Sequence, residues 1–231
     1  MLAPFPTLRD HLFDPSGGLI YQLRAFRYRH SLWAGFHAVV AGWLSEWRPD
    51  CRNLVMIGPN AGHALPPGFL ERFEQVIALE PDPIARYLLA RRPDARRLRF
   101  DKLDCLSTAD GLALLAARFP GAAVLFSNVL GQVAAPGGSW SALLSRHLQE
   151  QHWASYHDVI STTREPDHHA PIQCASLVNL ETLLAHFWTR GEIAVTEHET
   201  LHLGGRGPFS YALWPITPAR WHVVEWVVNQ A

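Results

Sequence analysis

Two glycines and an acid give the first chemical signal in the sequence. Gly58 and Gly62 follow an apolar run at 54–57, where a chain leaving a buried strand must turn tightly and let a ligand approach its backbone. A second apolar run, 76–79, ends in Glu80. That acid stands about 20 residues past the first glycine, the distance at which nucleotide-binding sheets place the carboxylate that holds a ribose. The segment reads as a site for an adenosine-type ligand. A third polar group, Ser127 and Asn128, closes the apolar run 122–126, again at the carboxyl end of a buried strand.

Other candidates are weaker. His157 is a candidate general base. Its neighbour Asp158 cannot form a dyad with it on one strand face, because adjacent strand residues point to opposite sides. His168 and His169, beside Asp167, sit in a polar loop; metal binding there would need His63 or His152 to converge on them, and solvated histidines are the simpler reading. His198 and His202 would share a face only in a helix, and the pattern around them is that of a strand or turn. Arg206 lies in a glycine-rich turn before a strand. No G-x-G-x-x-G or G-x-S-x-G motif is present, which speaks against a nicotinamide dehydrogenase and a serine hydrolase.

The composition sets bounds. The chain has 231 residues, 48% of them apolar, enough for one packed α/β domain. A formal charge of −1 offers no field for gathering nucleic acid or an anionic membrane. The arginines at 86–99 read as a solvated helix face answered by Asp94, Asp101 and Asp104, with a phosphate-binding patch as the other reading. Three widely spaced cysteines without a C-x-x-C pair indicate neither a disulfide framework nor a cysteine zinc site, and a reducing cytoplasm is expected. The N-terminus has neither a basic segment nor the apolar core of an export signal. No apolar run approaches the ~20 residues needed to span a bilayer.

The elements that must position these residues follow from periodicity. Strands are expected at 54–57, 75–80, 98–100, 122–126 and 153–161, then at 193–203, 209–214 and 221–228. Helices are expected at 18–30, 31–47, 66–73, 84–92, 108–119, 139–151 and 177–188. The helix at 31–47 shows an apolar stripe with Ser31 as its N-cap, and residues 14–18 form a turn. Strand–helix alternation with closing strands predicts an open α/β sheet with an antiparallel edge. The whole of 1–231 reads as one domain, with 1–48 as an N-terminal helical extension or lid.

Together, residues 54–62, 76–82, 100–105 and 124–132 resemble the class I S-adenosylmethionine-dependent methyltransferases. The resemblance implies a Rossmann-like, mostly parallel seven-stranded sheet with helices on both faces and an antiparallel edge strand. It implies S-adenosyl-L-methionine as cofactor, held by Gly58, Asn60, Gly62, Glu80, Asp82, Asp104, Cys105, Ser127 and Asn128. Glu80 would bond both ribose hydroxyls, and Asp104, or its rival Asp101, the adenine amino group. The loop departs from the family pattern at Met56, where an acid is usual, and at Asn60, where a second glycine is usual. The implied activity is methyl transfer to a small-molecule acceptor, with Asn128 orienting it, His157 as base, and Tyr21, Trp33 and Phe36 closing the pocket. The alternative is a non-catalytic binding or scaffold protein of the same fold.

Overall fold

The computed structural model describes residues 6–10 and 18–230. The expected turn at 14–18 lies outside the described residues except for Gly18. Five strands form the parallel part of the sheet: β1 (Asn53–Ile57), β2 (Gln75–Leu79), β3 (Leu98–Phe100), β4 (Ala123–Ser127) and β5 (Trp153–Thr162). They stand in the order β3-β2-β1-β4-β5. Two long strands, β8 (Arg206–Thr217) and β9 (Arg220–Asn229), form a hairpin, and β9 runs antiparallel to β5. These are seven of the eight expected strands. Two short strands, β6 (Ile172–Cys174) against β8 and β7 (Thr196–Glu197) against β5, bring the sheet to nine.

Alternation along the strands divides the core into two. Val55, Ile57, Val124 and Phe126 face one layer, which is covered by α4 (Gly111–Arg118), α5 (Trp140–Leu148) and α6 (Leu180–Phe187). Leu54, Met56, Ala123 and Leu125 face the other. There lie α1 (Gly18–Tyr28), α2 (Ala34–Glu46) and α3 (Pro83–Leu89). β1 and β4 are therefore apolar on both faces, which is why they read as unbroken apolar runs. α2 stacks Phe36 on Trp214 and Trp43 on Trp226, at 4.7 and 5.7 Å between ring centroids.

Three local expectations are corrected. The helix expected at 66–73 is a series of turns ending in a 3-10 turn, Leu70–Arg72. Left-handed Gly68 (φ 74°) interrupts it, and Arg72 reaches away to donate to the carbonyls of Leu44 and Trp47 at the end of α2. Ser31 does not cap α2; the N-cap is Trp33, without a side-chain bond, and Ser31 Oγ turns back to the carbonyl of Tyr28. The strand expected at 193–203 shrinks to the two residues of β7, because Glu199 and His202 adopt left-handed backbone (φ 55° and 65°). Among the described residues, no helix is long and apolar enough to cross a membrane.

Candidate functional site

The strand order reverses between β1 and β4, and ligands of open α/β sheets bind outside the carboxyl ends of strands at such a switch point. A cavity of about 660 Å³ opens there. Of the residues singled out from the sequence for the cofactor, Gly58, Asn60, Glu80, Asp82, Asp104, Cys105, Ser127 and Asn128 all line it.

The turn after β1 explains the glycine and its altered successor. Gly58 has φ 60°, and its N–H crosses to the carbonyl of Leu79 at 2.9 Å. A Cβ there would lie 3.3 Å from Val129 Cβ. Asn60 also adopts left-handed backbone, φ 53°, a conformation that asparagine tolerates better than most residues. Its side chain caps the turn, accepting from the Ala61 N–H at 2.9 Å. Asparagine thus does locally what a glycine would permit.

Glu80 follows β2 and reaches back to this turn. One carboxylate oxygen accepts from the Asn60 N–H at 2.7 Å and the other from the Asp82 N–H at 2.9 Å. Burial pushes the Glu80 carboxyl up to about 7, against the two N–H bonds and Arg86, with Asp82 adding to the rise. Asp82 is the N-cap of α3, accepting from the Ile84 N–H at 2.8 Å. Gln22 of α1 ties the floor together, its Nε2 donating to Asn60 Oδ1 at 2.6 Å and Asp82 Oδ2 at 3.1 Å.

Of the two acids after β3, one lines the cavity. Asp104 lines the cavity, and its Oδ1 accepts from the N–H groups of Leu106 and Ser107. Asp101 lies outside it, bonded to the Leu103 N–H and to Arg118. Burial, with Asp104 adding to it, pushes the Cys105 thiol up to about 12, so Cys105 is an uncharged wall. The segment at 6–8 runs beside this loop, with a bridge from Thr7 to Leu103, and lines the cavity as well.

Two of the cofactor and catalytic candidates are not where the sequence put them. Gly62 lies outside this cavity: a Cβ there would meet Leu89 Cδ1 at 2.7 Å, so the glycine serves packing against α3. His157 is fully buried and does not line the cavity. Its Nε2 faces two acceptors, Glu225 Oε2 and the Thr200 carbonyl, each at 3.1 Å, which makes Nε2 the protonated nitrogen and Nδ1 the acceptor of the Ser155 hydroxyl at 3.0 Å. Glu225 also accepts from Tyr211 Oη at 2.7 Å. The candidate base is therefore part of a core network.

Asn128 lines the cavity, but its carboxamide turns back to β5. Nδ2 donates to Asp158 Oδ2 at 3.2 Å, and Oδ1 accepts from the Asp158 N–H at 2.9 Å. The amide expected to orient an acceptor is spent on holding the end of β4, in left-handed backbone with φ 53°. Asp158 lies in turn 3.1 Å from His222 Nδ1, close enough for an ion pair but off the line of a hydrogen bond. Burial raises the Asp158 carboxyl, and His222, His198 and Asn128 outweigh it, so the group stays below its ordinary range.

Tyr21 and Phe36 join the cavity wall, while Trp33 stands behind them, its Nε1 bonded to the Ile216 carbonyl. Tyr156, His37 and His63 are wall residues that sequence reasoning missed. For Tyr156 a signal existed: strand alternation sets it on the face opposite His157. His168 and His169 are exposed. No cluster of three or more histidine, cysteine or acidic side chains able to hold a metal occurs among the described residues.

No protein-family model matches the sequence, and no sequence of a curated protein does. Solved structures do match. The chain is similar to a SAM-dependent methyltransferase from Anabaena variabilis, at 14% identity over 100% of this chain and 99% of that one, with a TM-score of 0.45. It is similar to a SAM-dependent methyltransferase from Aquifex aeolicus, at 12% identity over 93% and 99%, with a TM-score of 0.42. It is also similar to the glycopeptide N-methyltransferase MtfA, solved with S-adenosylmethionine, at 14% identity over 83% and 93%, with a TM-score of 0.41.

Proposed function

We propose that the chain binds S-adenosylmethionine in the switch-point cavity and transfers its methyl group to a small-molecule acceptor. The observation that carries this reading is Glu80: a carboxylate at the tip of β2, in the cavity wall, fixed by two backbone N–H groups. A carboxylate has about four lone-pair sites. Two are used, and two remain for a pair of ribose hydroxyls. The apolar wall of Leu103, Cys105, Leu106 and Val129 suits a purine ring, and Gly58 leaves the strand end without a side chain. The residues therefore fit the group.

S-adenosylmethionine supplies a methyl already activated on a sulfonium, so the protein has to bind, align and exclude water rather than activate the donor. Glu80 and Asp104 would hold the nucleoside. Tyr21 and Phe36, from α1 and α2, would close the cavity over the acceptor, giving residues 1–48 the role of a lid on a single domain. With His157 in the core, the imidazoles that face the cavity are His37 and His63. Burial lowers both to about 4, so both are neutral at pH 7 and able to accept hydrogen bonds from an acceptor.

A second reading, a binding protein of this fold that transfers nothing, is favoured by the bridge of Gln22 across Asn60 and Asp82 beside Glu80. Calorimetric titration with S-adenosylhomocysteine and S-adenosylmethionine separates the two. Binding is expected, and Glu80→Ala should weaken it by about 1–3 kcal/mol, the cost of losing hydrogen bonds to a charged acceptor. A folded protein that binds neither compound supports the second reading.

A further inference from the structure

A second pocket, of about 510 Å³, lies beside the first and shares His37 and His63 with it. Its lining includes Arg29, Arg91 and Arg92 and no aspartate or glutamate, in a chain whose formal charge is −1. Arg92 is matched: it makes a two-pronged ion pair with Asp94 and donates to the carbonyls of Gly62 and Pro66. Arg29 and Arg91 have no carboxylate within 4 Å among the described residues. The Arg91 guanidinium lies over the Tyr87 ring, 4.2 Å from its centroid. Two enclosed atoms at this pocket, Arg29 Nε and His63 Nε2, have no hydrogen-bond partner. Such groups are costly to leave unpaired. The ring of His63 stacks on that of His37 with centroids 6.4 Å apart, so the two imidazoles form the wall common to both pockets.

We propose that this second pocket is an anion site that takes the carboxylate or phosphate group of a small molecule. Resting on the methyl-transfer reading above, that molecule is the acceptor, with its charged end among the arginines and its body past His37 and His63 toward the donor cavity. Guanidinium groups suit planar or tetrahedral oxyanions because they offer donors in a fixed fork. The two imidazoles are neutral near pH 7 and add N–H donors without more charge. Burial is the main cause that lowers both imidazoles; beyond it, Arg29, Arg92 and His30 hold His63 down, and His63 and His30 hold His37 down. A bound anion opposes those charges.

The test is a titration of the full chain with inorganic phosphate and, separately, benzoate, read on the histidine ring resonances by NMR. At least one anion should shift His37 and His63 saturably and raise their midpoints by about one pH unit. Arg29→Met and Arg91→Gln should each weaken that binding at least tenfold and leave S-adenosylhomocysteine binding unchanged. A response to phosphate alone or benzoate alone names the group recognised. If neither anion shifts the rings, or both variants bind as the parent does, the anion site is wrong. If an anion binds and S-adenosylhomocysteine does not, the anion site stands and the acceptor reading falls. If only S-adenosylhomocysteine binds, the anion proposal falls alone.

Discussion

Replacing His157 with phenylalanine should damage the fold and spare the cavity. His157 Nε2 is the donor to Glu225, and both side chains are fully buried. The substitution leaves the Glu225 carboxylate with Tyr211 Oη and the His202 N–H and takes away the partner of the Ser155 hydroxyl. Leaving a buried carboxylate short of one donor costs about 1–3 kcal/mol. In a chain of this size each kcal/mol moves the melting temperature by about 2–4 °C, so a fall of roughly 2–12 °C is expected. Because the loss comes from a buried carboxylate left short of a donor, adding Glu225→Gln should recover part of it. Differential scanning fluorimetry reads the stability, and calorimetric titration of S-adenosylhomocysteine below the melting range reads the site. A melting temperature within 2 °C of the parent would refute the reasoning. So would a well-folded variant whose cofactor affinity or turnover had collapsed, since His157 would then act at the cavity.

Two further outcomes follow from the site. The Glu80 carboxyl titrates at about 7, and ribose hydroxyls donate best to its ionised form, so S-adenosylhomocysteine affinity should fall as pH drops below 7, approaching about tenfold per pH unit, and should level off above it. Glu80→Gln should flatten the profile in the same titration; an unchanged slope would place the ribose contact elsewhere. Asn128→Ala loses two hydrogen bonds to Asp158 and puts alanine in left-handed backbone, an expected loss of about 2–4 kcal/mol in denaturant unfolding. Asn128→Gly should lose about 1 kcal/mol less, because glycine takes that backbone freely; equal losses would show that the backbone term is absent.

The strands were legible because β1, β2 and β4 are buried on both faces, and an apolar run bounded by Gly and Pro leaves few other solutions. Glu80 was legible from its distance to Gly58 along the chain. What stayed hidden depends on partners far away in sequence. Asn128 reads as a strand-end amide free for a ligand, and Asp158, thirty residues on, takes it up. His157 reads as a base, and Glu225, 68 residues on, makes it a core residue. The paired prolines at 66 and 67 suit a helix start, yet Arg72 is drawn to the carbonyls ending α2, a contact no local pattern announces. The arginines at 86–99 are answered by acids at Arg92–Asp94, but Arg91 joins Arg29 at a pocket that only the tertiary fold assembles.

The most direct measurement is a crystal structure of the protein grown with S-adenosylhomocysteine. The nucleoside should lie in the switch-point cavity with both ribose hydroxyls within hydrogen-bond reach of the Glu80 carboxylate and the purine between Leu103 and Val129. A ligand seated elsewhere, or a cavity in which Gln22 and Asn60 keep the sugar away from Glu80, would contradict the account.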